Sequence, residues 1–232
     1  MPDFGPLSVV EWVEPSRPRR ARRLQAPFTE VRFARVCDVL TSPEGHLTTI
    51  ELTRNARLRH PADREAHLAA HLLVRHVAAT SLGTDPDEVE IRQHCPDCNG
   101  TDHGRPHVVG HDLFVSLSHT RERVAAIASP HPCGIDVERV RPVADAVRRH
   151  VLTADELRHV DGADDPATAF TRLWVAKEAA VKAGLGTLSD AGTRPAPPLA
   201  GSGGASLGPV RHQWSGGPPD AAHVGAWVLD RR

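Results

Sequence analysis

Tyrosine is absent from this chain, and aromatic residues of every kind are scarce: five Phe and four Trp stand in 232 residues. Leu, Val and Ala must therefore fill most of any core, and a hydrophobic content of 40% is enough to build one. Long apolar runs are missing too. No stretch of about 18 apolar residues occurs, which excludes a membrane-spanning helix. The start lacks the basic segment followed by an apolar stretch that marks a secretory signal, so a soluble, cytoplasmic protein is expected. Charge of one sign is not in excess either. A balance of 28 Lys+Arg against 29 Asp+Glu, formal net charge -1, argues against a dedicated nucleic-acid binder, whose domain is usually strongly basic. Four Cys, two of them close together, do not make a disulfide framework.

The length allows one ordinary domain or two of about 100 residues each. Arg17, Arg19, Arg20, Arg22 and Arg23 form a basic run that reads as a solvated arm or as a patch for phosphate or a partner. Partial alternation over Thr29 to Val39 suggests a strand. Leu68, Leu72, Arg75 and Val77, among many Ala, have helical spacing, with Pro61 before them and Gly83 after. A helix over Asp63 to Leu82 follows. His94 to His111 reads as a Cys/His/Gly-rich loop, and Leu113–Leu117, Val124–Ala128 and Gly134–Val140 as three strands. A second long helix is expected over Pro166–Ala183, a Gly/Pro-rich excursion over 189–209, and a terminal strand over His223–Leu229. Both helices end on similar glycine-bearing sequences, Ser81-Leu82-Gly83-Thr84 and Gly184-Leu185-Gly186-Thr187. That fits two similar α+β halves, divided here at 118/119.

Three groups of residues carry possible chemistry. In Gly134-Ile135-Asp136-Val137-Glu138, strand alternation puts Asp136 and Glu138 on one face and Ile135 and Val137 on the other. The two acids are either solvated on an exposed edge or gathered around a cation such as magnesium, which prefers oxygen ligands. On the second helix Trp174, Glu178 and Lys182 recur every four residues, with Lys177 alongside. Glu178 and Lys182 have the order of a surface ion pair, and the group also suits a carboxylate ligand among phosphate-binding ammonium groups. In Ser116-Leu117-Ser118-His119-Thr120, His119 is either an ordinary loop residue or a donor to a phosphate oxygen.

In chain order, Gly104-Arg105-Pro106, Ser116-Leu117-Ser118-His119, Gly134-Ile135-Asp136-Val137-Glu138 and Trp174-x-x-Lys177-Glu178-x-x-x-Lys182 closely resemble the Sfp-type 4′-phosphopantetheinyl transferases. The likeness extends upstream to Arg57-Leu58-Arg59-His60-Pro61 and covers about residues 52–188. The resemblance implies a pseudo-twofold α+β monomer with coenzyme A in the cleft between its halves and an apo acyl or peptidyl carrier protein as the second substrate. It implies that Asp136, Glu138 and Glu178 hold Mg²⁺, which bridges the pyrophosphate. Lys177 and Lys182 would approach the phosphates, Ser118 and His119 would lie with them, and Gly104, Arg105 and Pro106 would lie beside the adenine nucleotide. Arg64, with Arg57 and His71, would take the 3′-phosphate. Glu178 would activate the carrier serine and Lys182 would stabilise the leaving phosphate. No nucleic acid or membrane enters this scheme.

The segment Cys95-Pro96-Asp97-Cys98, with His94, His103 and His107 near it, departs from the shortest family members. It reads mainly as reduced thiols in a loop or an adventitious disulfide, with a structural zinc as the other reading. Two further function classes compete: a magnesium-dependent nuclease sharing three carboxylates by chance, and a non-catalytic module for coenzyme A or carrier proteins. Neutral charge disfavours the first. The complete set of carboxylates and lysines disfavours the second.

Overall fold

A computed structural model describes residues 26–41, 46–95, 98–100, 104–197 and 222–230. The basic run from Arg17 to Arg23, together with Pro96, Asp97, His103 and most of 189–209, lies outside the described residues.

Strand β5 (Arg123–Ser129) is covered on both faces, and its alternation sorts the layers. Val124, Ala126 and Ala128 pack with Ala66, Ala69, Ala70, Leu73, Val74 and Val77 of helix α3 (Pro61–Leu82). Ala125 and Ile127 face the other way, against Phe33, Ile135, Val137, Trp227 and Leu229. Alanine on both contacting elements lets α3 lie close to the sheet. β5 pairs antiparallel with β1 (Glu30–Arg35) and β4 (Phe114–His119), in a five-stranded sheet of order β1-β5-β4-β3-β2. β2 is Ile91–His94 and β3 is Arg105–Val108. A separate antiparallel ribbon joins β6 (Cys133–Arg139) to β7 (His223–Leu229), and α6 (Pro166–Lys182) covers its far face through Val175, Ala179 and Ala180 against Val224, Ala226 and Val228. The layers thus run α3, five-stranded sheet, ribbon, α6. Each fully buried Val, Leu, Ile or Phe contributes roughly 1.5–3 kcal/mol, so these interfaces set the order of the layers.

Both long helices carry the expected punctuation. Pro61 occupies the first turn of α3, where its missing N–H costs nothing, and Gly83 closes it at φ 70°. Asp165 caps α6 by accepting from the Thr168 N–H at 3.1 Å. Three differences from the sequence reading matter. The strand expected to Val39 ends at Arg35, and Val36–Thr41 forms helix α1. The expected loop from His94 to His111 contains β3, which is extended through its pairing with β2 rather than through any alternation of its own. Helices α2 (Thr49–Arg57), α4 (Asp145–Val151) and α5 (Ala154–Asp161) are short and went unanticipated. The five-stranded sheet also takes in β5, beyond the 118/119 division, because a strand follows its hydrogen-bond partners.

Candidate functional site

On β6, Ile135 and Val137 are buried toward the five-stranded sheet, so Gly134, Asp136 and Glu138 turn toward α6. Gly134 makes that approach possible: a Cβ there would sit 1.9 Å from the Ala179 carbonyl oxygen. The close crossing sets Glu178 and Lys182 beside Asp136. Only 3% of Asp136 is exposed. Its Oδ1 accepts from Lys182 Nζ and from Ser118 Oγ, both at 2.7 Å. Lys182 also donates to the Ile135 carbonyl at 3.1 Å. Ser118 Oγ in turn accepts from the Val137 N–H, and Ser116 Oγ from the Ile135 N–H, so the two serines tie β4 to β6.

The carboxyls are short of positive charge. Burial, then the negative charge of Asp136, pushes Glu138 and Glu178 above the ordinary carboxylate range, and Lys182 offsets this in part. Asp136 Oδ2 is buried with no hydrogen-bond partner, a state that costs about 1–3 kcal/mol. Among the described residues no three His, Cys, Asp or Glu side chains stand close enough to hold a metal ion as they are. Instead the Lys182 ammonium serves as the cation at Asp136. All three carboxyl groups offer hard oxygen donors, and Oδ2 of Asp136 is the atom left for an ion, so the set suits Mg²⁺ chemically.

These residues line one side of a cleft of about 1030 Å³, whose walls also include His71, Gly104, Arg105, Pro106, Ser118 and His119. Gly104 has φ 102°, and a Cβ on it would lie 2.2 Å from the His94 carbonyl oxygen, so no other residue fits this bend. Arg105 reaches across to the end of α6, its guanidinium about where a Cβ on Gly184 would come within 3.0 Å. His119 is open to the cleft, but the flanking walls, then the charges of His71 and Lys182, favour its neutral form.

The opposite wall holds a network that the sequence reading missed. Glu51 of α2 is buried, as are His71 and Arg75 of α3. Glu51 Oε1 accepts from His71 Nδ1 at 2.7 Å and Arg75 at 3.0 Å, and Oε2 from Arg75 and the Thr48 N–H, both at 2.7 Å. Burial alone would raise this carboxyl; the His71, Arg75 and Thr48 donors bring it down to about 2. Two signals could have revealed it: Thr48 and Glu51 have capping-box spacing, and His71 and Arg75 lie one turn apart among the buried Ala, Leu and Val of α3. His67 packs against His71, ring centroids 4.3 Å apart and planes tilted by 38°, and burial, then His71, lowers it to about 4.

Four of the residues singled out do not line the cleft. Lys177 is buried elsewhere, donating to the carbonyls of Ala191 at 2.5 Å and Arg194 at 2.6 Å and pairing with Glu156 at 2.8 Å. One helical position from Glu178, it points about 100° round the helix, toward the segment after α6 rather than toward phosphates. Arg57 is exposed at the end of α2, and Arg64 donates to the Leu58 carbonyl. Trp174 stacks on Phe170 at 6.5 Å instead of joining Glu178 and Lys182. In the cysteine loop Cys95 is buried and Cys98 exposed, and the Gly100 N–H donates to Cys98 Sγ.

The sequence model of the 4'-phosphopantetheinyl transferase superfamily matches residues 132–193, the stretch that carries Asp136, Glu138, Glu178 and Lys182. Three relatives are similar over about half the chain. The 4'-phosphopantetheinyl transferase of Bacillus subtilis is 25% identical over 129 residues, 54% of this chain and 54% of its own. The 4'-phosphopantetheinyl transferase gsp of Aneurinibacillus migulanus is 25% identical over 52% of this chain and 48% of its own. The 4'-phosphopantetheinyl transferase psf-1 of Bacillus pumilus is 26% identical over 54% and 52%. The chain spans about half the length of the curated relatives it matches.

Proposed function

Since the chain belongs to the 4'-phosphopantetheinyl transferase superfamily through residues 132–193, we propose that it moves the 4′-phosphopantetheine arm of coenzyme A onto a serine of an apo acyl or peptidyl carrier protein. One observation carries the reading: a single cleft brings Gly104, Arg105, Pro106 and His119 together with Asp136, Glu138, Glu178 and Lys182, although some 80 residues separate the ends of that set. We read the two α+β halves as approximate twofold mates. In support, α3 packs on β5 and α6 on the β6–β7 ribbon, and a left-handed glycine, Gly83 or Gly184, follows each helix. The reading extends to a cytoplasmic monomer; among the described residues no helix is long and apolar enough to cross a membrane.

In this scheme the serine hydroxyl attacks the phosphorus bonded to pantetheine, the bond from that phosphorus to the bridging oxygen breaks, and 3′,5′-ADP leaves. Positioning and charge neutralisation supply most of the rate in such a transfer. Glu178 takes the serine proton. Its raised proton affinity, from burial and Asp136, brings a carboxylate closer to the range a general base needs. Lys182 faces the developing charge on the leaving phosphate. Asp136, Glu138 and Glu178 would hold Mg²⁺, which supplies positive charge to the pyrophosphate when bound. Ser118 keeps Asp136 oriented, and His119 donates to a phosphate oxygen. Incubation with coenzyme A, Mg²⁺ and a panel of apo carrier proteins, read by intact mass, tests the proposal. A phosphopantetheine mass increment on at least one carrier is expected, and no increment on any would overturn it.

A further inference from the structure

Lys177 and Glu156 are both buried outside the cleft, and the proposed transfer gives neither a task. Lys177 Nζ donates to the Ala191 and Arg194 carbonyls at 2.5 and 2.6 Å and pairs with Glu156 Oε2 at 2.8 Å. Three donors meet three acceptors, so none is left for a phosphate. Glu156 is engaged as fully: its Oε2 also accepts from the Thr153 N–H at 2.8 Å, and its Oε1 from the Ala196 N–H at 2.6 Å. The pair therefore ties the middle of α6 to the start of α5 and to the segment 191–196.

Apolar packing by itself does not fix how α6 is rolled about its axis. The face it lays on the β6–β7 ribbon is built from Val175, Ala179, Ala180 and Ala183, low ridges whose contact is non-directional. The bonds of Lys182 to Asp136 and of Lys177 to Glu156 are directional and resist a roll. In the proposed transfer Asp136 turns to Mg²⁺ and Lys182 to the phosphate, so the first of these anchors is given up. The second lies outside the cleft and persists. Glu178 follows Lys177 by one residue, about 100° round the helix. At the rim of a helix, about 5–6 Å from its axis, a roll of about 10° moves a side chain by about 1 Å. Misplacement on that scale costs about a hundredfold in rate. We infer that Lys177 and Glu156 are a positioning pair that fixes the roll of α6 and so holds the Glu178 carboxyl toward Asp136 and Glu138. The inference rests on the transferase reading of Glu178.

Steady-state kinetics with an apo carrier protein, and Mg²⁺ titration by calorimetry without coenzyme A, test this on the full chain with Lys177→Met, Glu156→Gln and the double variant. Lys177→Met strands a buried carboxylate, whereas the double variant removes both charges and should regain melting temperature. In both, kcat should nevertheless stay about a hundredfold down, with the KM for coenzyme A within about twofold of wild type. Mg²⁺ should bind the double variant about tenfold less tightly than wild type, as loss of a residue behind a metal ligand does. A role in stability alone predicts the opposite, kcat and Mg²⁺ affinity returning with the melting temperature, and that result overturns the inference. A rise of about tenfold in the KM for coenzyme A with kcat intact, the size of one charge-assisted bond, overturns it too and returns Lys177 to the phosphates. Should the double variant not fold, Glu156→Gln decides: kcat about tenfold lower at unchanged KM supports the inference, and wild-type kcat overturns it. A wild type that modifies no carrier protein ends the transferase reading, and the Mg²⁺ titrations then decide the positioning claim by themselves.

Discussion

Glu51 stands behind one wall of the cleft and Glu178 on the other, both withdrawn from much of the solvent, yet they end in opposite states. Burial raises the proton affinity of each. For Glu51, donors from His71, Arg75 and Thr48 overwhelm that effect and hold it at about 2. Glu178 has only the distant help of Lys182, which is bonded to Asp136, and Asp136 itself works against it. A carboxylate whose donors come from its own chain is satisfied by folding. The group on the β6 and α6 wall is left short of positive charge, the shortage that the proposed Mg²⁺ would relieve.

The sharpest way to break this comparison is to remove the acids one by one. Glu138→Ala and Glu178→Ala should each lower transfer to a carrier protein by ~100-fold or more, as loss of a metal ligand or base does. Their metal-free melting temperatures should hold or rise, because a repelling charge is gone. The sign follows from the raised proton affinities: stability tied to Glu138 and Glu178 is full at low pH and falls as pH rises through their elevated values. Asp136→Ala should abolish transfer too, but with lower stability, since it strands Lys182 and Ser118. Full turnover in Glu178→Ala at saturating Mg²⁺ would end the assignment.

Glu51→Ala should do the reverse, costing about 3–5 kcal/mol in denaturant melts by leaving the Arg75 charge buried without its partner. The contribution of Glu51 should be complete above its ordinary value of 4.5 and disappear as pH falls toward about 2. An acid-unfolding curve of Glu51→Gln lacking that component would show it. Lys177→Ala should behave like Glu51→Ala, lowering stability through the stranded Glu156 while leaving coenzyme A affinity unchanged within twofold. A tenfold loss of affinity, with stability intact, would return Lys177 to the phosphates.

Mg²⁺ should raise the stability of the wild type, by about 2.7 kcal/mol at a hundred times its dissociation constant, and much less in Glu138→Gln. Calorimetric scans with and without the ion measure the difference. The smallest effect belongs to Ser118→Ala. It removes one donor to Asp136 and should cost about 1 kcal/mol, with a modest fall in transfer.

The strand and helix motifs were readable because each is local. Alternation over Gly134 to Glu138 assigns the faces of β6, and four-residue spacing puts Glu178 above Lys182 on α6. Lys177 shows where such reading stops. Its place beside Glu178 in the motif suggested a shared task, but a step of one residue turns a helical side chain about 100°, away from the cleft. Glu51 shows the converse. A capping-box glutamate on a short helix marks the cap but does not say that its partners stand 20 and 24 residues away.

What the sequence by itself determined is the pair of long helices, with their Pro, Asp and Gly boundaries, and the side of β6 on which the acids stand, since periodicity and caps act within a few residues. Only the tertiary structure decided which charges meet. The α6 crossing over Gly134 delivers Lys182 to Asp136 rather than to Glu178, and α2 against α3 closes Glu51 on His71 and Arg75. Those pairings depend on distances between elements far apart in the chain, and in a buried site it is distance to the nearest donor that sets whether a carboxylate is content or waiting.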